Sequence, residues 1–168
     1  MQNTGSTHAS VPASRAPRLV QLTSPVHCTV AFLVALAAQK WLALPMPTPA
    51  WLRGLQLVGT VLANMGLALA LWCQLLFLLR RTTLLPARVP NALVDVGPYR
   101  YSRNPMYLSL LLSYVGLALL LNVPWALLAM PAQLLALQRV VIPYEEAQLR
   151  RQFGAGYLEY CARVPRWW

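Results

Sequence analysis

Two short segments concentrate the side chains able to do chemistry. The first is Gly97-Pro98-Tyr99-Arg100-Tyr101-Ser102-Arg103-Asn104-Pro105-Met106-Tyr107. Gly97-Pro98 makes a turn, Asn104 can serve as an N-cap, and Pro105 stands at the first helical position. The open N-terminus of a helix presents unpaired N–H groups and a positive dipole end, both suited to an anionic group such as a carboxylate. The same residues also make an ordinary interfacial helix start with tyrosines as an aromatic belt. The second segment is Glu145-Glu146, just after Pro143, in a chain whose only other carboxylates are Asp95 and Glu159. As helix features these glutamates favour the N-terminal dipole, and Glu146 can pair with Arg150 four residues on. As functional features they can hold an ammonium or the ribose hydroxyls of a cofactor.

The elements that position these segments belong to a membrane. The chain has 168 residues, 58% of them hydrophobic and 11% charged, with a mean hydropathy of +0.49. A soluble domain has about a quarter of its residues charged, so this surface faces something other than water. The net charge of +10 does not imply nucleic acid, because the basic residues sit in patches beside long apolar runs rather than on one polar face. Cys28, Cys73 and Cys161 are widely spaced and without a CxxC pairing. They imply neither a disulfide framework nor a metal site, and buried, inert thiols are expected.

Along the chain, residues 1–24 read as a disordered cytoplasmic tail and residues 25–168 as a single membrane domain. The expected fold is all-α, with four transmembrane helices at about 26–44, 52–79, 105–121 and 123–142. The last two form a helical hairpin, and an amphipathic cytoplasmic helix follows at about 144–162. A cleaved signal peptide competes for the first span, but Trp41-Leu42-Ala43-Leu44 continues its apolar stretch, which favours a retained helix. Gly59/Ala63 and Gly66/Ala70 put small residues at four-residue spacing, as close helix packing requires. Asn64 and Gln74 in the same run suit interhelical hydrogen bonds. Pro131 is expected to kink the fourth span and Pro143 to end it. Of fourteen basic residues, only Lys40 and Arg53 fall on the far side of this topology. Both termini are therefore expected in the cytoplasm, with the protein in a bacterial inner membrane.

The first segment resembles the Gly-Pro-Tyr-Arg and Arg-His/Asn-Pro-x-Tyr signature of the isoprenylcysteine carboxyl methyltransferase and phospholipid methyltransferase family. Pro143-Tyr144-Glu145-Glu146, Phe153-Gly154 and Tyr157-x-x-Tyr160 resemble its C-terminal Glu-Glu and Phe-Gly-x-x-Tyr elements, so that the likeness covers about residues 82–168. The resemblance implies an integral membrane enzyme that uses S-adenosyl-L-methionine without a Rossmann domain and methylates a lipid-linked or amphipathic small acceptor. It implies that Arg103, Asn104, Pro105 and Tyr107 line the cofactor pocket, with Tyr99, Glu145, Glu146 and Tyr157 beside them and Arg163 a further candidate. Arg103, Asn104 and Glu146 are the expected catalytic residues, and no metal is implied. The family's frequent histidine is Asn104 here, which hydrogen-bonds but does not titrate near neutral pH. A carboxylate acceptor needs no general base, whereas an amine or thiol does. Two other readings of this scaffold are an NADPH-dependent membrane reductase and a non-catalytic membrane assembly protein. No residue specifies an oligomeric state.

Overall fold

The computed structural model describes residues 24–42, 44, 49–80 and 93–167. Nearly all of the expected N-terminal tail, and residues 81–92 of the basic loop, lie outside the described residues. All regular structure among the described residues is helical. It comprises α1 (Ser24–Trp41), α2 (Pro49–Leu79), a 3₁₀ turn (Gly97–Arg100), α3 (Pro105–Leu120), α4 (Pro124–Ala136), a π turn (Leu137–Val141), α5 (Ile142–Phe153) and α6 (Ala155–Arg163).

Two stretches, Trp51–Leu79 and Pro124–Phe153, are long and apolar enough to cross a bilayer, and little of either is buried. Val26–Trp41 and Pro105–Leu120 are shorter apolar helices. Outward-facing residues such as Leu57, Leu71, Leu78 and Leu128 are more than half exposed. Lipid is the solvent that tolerates such a surface, because water penalises it by about 25 cal/mol for each Å².

Close backbone approach joins α2 to α3. Gly59 and Gly66 on α2 are buried, as is Gly116 on α3. A methyl group on Gly59 would stand 2.6 Å from the Leu120 backbone nitrogen and 2.7 Å from the Gly116 carbonyl oxygen. Without a hydrophobic driving force inside lipid, such contacts carry helix association through dispersion. The small residues of α2 thus do what their spacing predicts. Asn64 instead donates within its own helix, to the Thr60 carbonyl at 2.8 Å.

The α1 helix lies antiparallel to α4. Cys28 Sγ is 3.7 Å from Gln133 Oε1 near one end, and Trp125 Nε1 donates to the Leu42 carbonyl at 2.8 Å near the other. Cys28, Ala35, Tyr114, Ala118, Val123 and Ala126 form the core between α1, α3 and α4. Asn122 turns the chain from α3 into α4 with φ 54°, a left-handed conformation that asparagine adopts more readily than most residues. These pairings bring the start of α1, the end of α2, the start of α3 and the end of α4 to one face of the bundle.

The α4 helix is continuous through Pro131, and helical structure carries on past Pro143, where the apolar stretch gives way to a charged one. Between Leu137 and Val141 it widens into a π turn, and the Ile142 N–H donates to the Leu137 carbonyl five residues back. Proline lacks an N–H and crowds the carbonyl four residues before it. The wider turn just ahead of Pro143 relieves both faults, and the helix continues to Phe153. The chain after Pro143 is also two helices rather than one. Gly154, with φ 52° and ψ −123°, separates α5 from α6 in a conformation that side-chain-bearing residues rarely adopt.

Candidate functional site

At the face where α3 begins and α5 follows the π turn, the two chemistry-bearing segments meet. Arg103 Nη1 lies 3.1 Å from Glu146 Oε1, with the two side chains 16% and 13% exposed. The same nitrogen is 2.9 Å from Cys161 Sγ on α6, while Arg103 Nε is buried without a partner. Tyr107, one turn into α3, donates its phenol O–H to Glu145 Oε1 at 2.6 Å. Residues 38 positions apart are joined because α3 and α4 run back along each other.

A third set of contacts comes from the C-terminus, in residues outside the two motif segments. Arg166 donates through Nε to Glu146 Oε1 at 3.0 Å and through Nη2 to Oε2 at 2.6 Å. The fork of the guanidinium matches a carboxylate in this way. The Arg103 N–H donates to the Pro165 carbonyl at 3.0 Å. The Arg166 carbonyl accepts from Asn104 Nδ2 at 2.9 Å and from Ser102 Oγ at 3.2 Å. Trp167 packs on Tyr107, Leu137, Val141 and Ile142. The signal for Arg166 was scarcity: with only four carboxylates in the chain, a cation three residues after the last helix has few partners to find.

Two expected pairings are therefore corrected. Glu146 bonds Arg103 and Arg166, not Arg150, which is exposed. Asn104 occupies the N-cap position of α3 but makes no side-chain cap bond, because its amide is committed to the Arg166 carbonyl.

The remaining expected site residues fall in three places. Pro105 is buried at the start of α3. Tyr157 is 1% exposed in a cluster with Tyr160 and Val164, beside Arg103 and Cys161, and its phenol ionisation is pushed up, chiefly by burial. Tyr99 points elsewhere. Its ring packs edge-on against Phe77 of α2 at 5.6 Å in a cluster with Cys73 and Val94, and its carbonyl accepts from Tyr160 O–H at 2.8 Å. Tyr99 thus fixes the 3₁₀ turn to α2 and α6. Arg163 is exposed and leans on its own helix, with Nε 3.5 Å from the Glu159 carbonyl.

The adjacent glutamates differ sharply in environment. Glu146 has two cations against it. Glu145 lies beyond the apolar stretch that ends at Ile142, yet it is largely enclosed and has no ion pair among the described residues. Burial pushes its carboxyl up from 4.5 to about 7, against a smaller downward pull from the Tyr107 hydrogen bond. Among the described residues no three His, Cys, Asp or Glu side chains come together as metal ligands do.

This donor set fits a zwitterionic amino-acid group. The partnerless Arg103 Nε is a donor suited to a carboxylate, and the Glu145 carboxyl, which has no ion pair among the described residues, suits an ammonium. By contrast, the open groove lined by Trp51, Gly54, Leu55 and Val58 is apolar and lies toward the opposite end of α2 from the cluster.

A family model described as phospholipid methyltransferase matches residues 55–156. Protein-S-isoprenylcysteine O-methyltransferase B of Arabidopsis thaliana is 36% identical over 75 residues, which cover 45% of this chain and 38% of that relative. The match therefore spans well under two thirds of the relative's length. No solved structure matches the chain.

Proposed function

The chain belongs to the phospholipid methyltransferase family, and on that premise we propose that it is an integral membrane methyltransferase using S-adenosyl-L-methionine. The acceptor is a lipid-linked or amphipathic small molecule that approaches from the bilayer. The observation that carries the reading is the joining of Arg103, Tyr107, Glu145, Glu146 and Arg166 at one end of an apolar helical bundle. A structural ion pair alone would not need a second, unpaired carboxyl enclosed beside it.

S-Adenosyl-L-methionine supplies, when bound, a methyl group already activated on a sulfonium. The protein's work is then alignment and exclusion of water. Arg103 and the first N–H groups of α3 are assigned to the carboxylate of the amino-acid end, with Asn104 and Pro105 fixing the backbone there. Tyr107, Glu145 and Glu146 line the pocket from α3 and α5, and Tyr157 closes it from α6. Asn104, engaged with the tail, has a positional role and moves no proton.

In the proposed topology four helices cross the membrane, α3 and α4 forming a hairpin. The α3 helix, 16 residues long, is roughly 24 Å at the standard rise, a little short of the hydrocarbon core of about 30 Å. Arg80, Arg100, Arg103 and Arg139 share the site face, which by the positive-inside rule favours a cytoplasmic site with both termini on that side.

The test is binding of S-adenosylhomocysteine to the purified protein by calorimetry. Saturable binding is expected, weakened at least about tenfold in Arg103→Ala and in the Glu145→Ala/Glu146→Ala double variant. Absence of binding in a folded, monodisperse wild-type sample would sink the proposal, and NADPH binding in its place would redirect it to lipid reduction.

A further inference from the structure

The outward face of α2 carries polar side chains that the bundle leaves only partly satisfied. Between Leu55 and Leu79 the hydroxyl and amide residues are Gln56, Thr60, Asn64 and Gln74. At 100° per residue all four fall within about 80° of the helix circumference. Gly59 and Gly66, which meet α3, lie roughly 110° from the middle of that arc. Thr60, Asn64 and Gln74 are exposed. Asn64 is also the middle residue of the 31-residue helix, where a spanning helix is furthest from water.

The hydrogen bonds of this face are local and incomplete. Thr60 Oγ1 donates to the Gln56 carbonyl at 2.8 Å, and Asn64 Nδ2 donates to the Thr60 carbonyl at 2.8 Å. A side-chain amide has two donor hydrogens and an acceptor oxygen. Asn64 therefore keeps one hydrogen and its oxygen without a partner among the described residues. Gln74 makes no side-chain hydrogen bond among them. Lipid tails offer nothing to such groups, and leaving them unpaired is costly. Thr60, Asn64, Leu67, Leu71, Gln74 and Leu78 follow one another in steps of four and three, and all are exposed. That spacing keeps one seam of a helix against a partner through a left-handed crossing. The seam is about 27 Å long at the standard rise, close to the hydrocarbon core of about 30 Å.

We propose that this seam of α2 is the surface through which two copies of the chain pair in the membrane, side by side and parallel. Copies inserted with the same orientation are related by a two-fold axis along the membrane normal, and each seam residue near the axis then faces its own twin. An amide both donates and accepts, so Asn64 satisfies Asn64 and Gln74 satisfies Gln74. A different partner would have to present matching polar groups at the same heights, which a second copy does by construction. A buried asparagine in such a seam also fixes its register. The site cluster is built within one chain, from α3, α5, α6 and the tail, so pairing neither completes it nor depends on the methyltransferase reading.

The test uses the full chain in phosphatidylcholine vesicles, with donor and acceptor fluorophores on the N-termini of separate batches. Energy transfer in wild type should rise and saturate as the protein-to-lipid ratio increases. Asn64→Leu should raise the dissociation constant at least about tenfold, the scale of interhelical amide bonds in membranes, and Asn64→Gln should keep most of the pairing. The thermal midpoint of Asn64→Leu in dispersing detergent should be no lower than that of wild type, because leucine suits a lipid-facing position. Cross-linking then identifies the face. Leu67 and Met65 are 55% and 54% exposed but stand on opposite sides of α2. Under copper phenanthroline, Leu67→Cys should give a covalent dimer and Met65→Cys should not, both variants carrying the same native cysteines. Energy transfer no greater than random mixing at every ratio would leave the seam to lipid or to another protein and overturn the proposal. So would an unchanged dissociation constant in Asn64→Leu, or equal cross-linking at the two positions.

Discussion

Replacing Gly116 by alanine tests whether the site depends on close contact between α2 and α3. The added methyl would stand 2.7 Å from Ala63 Cα and 2.8 Å from the Gly59 carbonyl oxygen, and closer still to the Ala63 nitrogen. Carbon atoms in contact prefer about 3.5–4.0 Å. All three neighbours are backbone, so no rotamer change relieves the clash, and the helices must part locally by roughly 1 Å. Overpacking of this kind costs about 1–3 kcal/mol. At about 2–4 °C per kcal/mol for a chain of this size, the thermal midpoint should fall by several degrees. Gly54→Ala is the control, because a methyl there meets nothing within 4 Å. It should stay within about 1 kcal/mol of wild type, the span of the glycine-to-alanine helix preference. The assay is thermal unfolding of both variants in the same detergent, followed by S-adenosylhomocysteine binding. Because α3 carries Tyr107 and begins at Asn104, Gly116→Ala should weaken binding as well as stability. Equal midpoints for the two variants would refute the claim that backbone contact holds this interface.

Two further outcomes follow from the site. Arg166→Ala removes a bidentate partner from Glu146 but leaves Arg103 in place. Breaking a buried pair costs about 3–5 kcal/mol. With Arg166 39% exposed and screened accordingly, roughly 1–2 kcal/mol is expected in unfolding, with faster proteolysis after Arg163. Arg166→Lys should recover only part of this, since a point charge cannot fork, and an unchanged midpoint in Arg166→Ala would remove the tail from the account of the site. Glu145 gives a pH dependence with a definite sign. Its carboxyl is raised from 4.5 to about 7, so its contribution to folding is fully present below about pH 4.5 and is lost as the pH rises through 7. At 1.36 kcal/mol per pKa unit, the loss is about 3 kcal/mol at most. Unfolding midpoints between pH 5 and 8 should therefore fall more steeply in wild type than in Glu145→Gln, and parallel slopes would contradict the burial of an ionisable Glu145.

Much of this arrangement is legible in the sequence, for reasons that differ between its parts. The apolar runs and the small residues of α2 are signals of composition and spacing, and lipid leaves few other ways to satisfy them. The meeting of Arg103 and Tyr107 with Glu145 and Glu146 was implied by a resemblance, not by any periodicity. The roles of single side chains within the cluster were less legible. Asn104 has the right type and position for a cap, but a carbonyl 62 residues away takes its amide. Glu146 and Arg150 have ideal helical spacing, yet two arginines reached through tertiary structure hold the glutamate instead. Local rules name the bonds a residue can make, whereas the fold decides among them.

The π turn is where that decision has most consequence for chemistry. A turn that closes on the fifth residue rather than the fourth acts as a one-residue insertion in the helix. Every residue after it is rotated by about 100° relative to an uninterrupted α-helix. The widening at Leu137–Val141 comes just before Pro143, where the loss of an N–H makes an ordinary turn costly. Its result is felt at the glutamates that follow. In the observed register Glu145 meets the Tyr107 phenol and Glu146 meets Arg103 and Arg166. In an uninterrupted helix both side chains would be turned by more than a quarter of the circumference, away from these partners. Pro143 thus does more than mark the edge of the apolar stretch. It favours the wider turn that sends one glutamate to the arginines and its neighbour to the Tyr107 phenol.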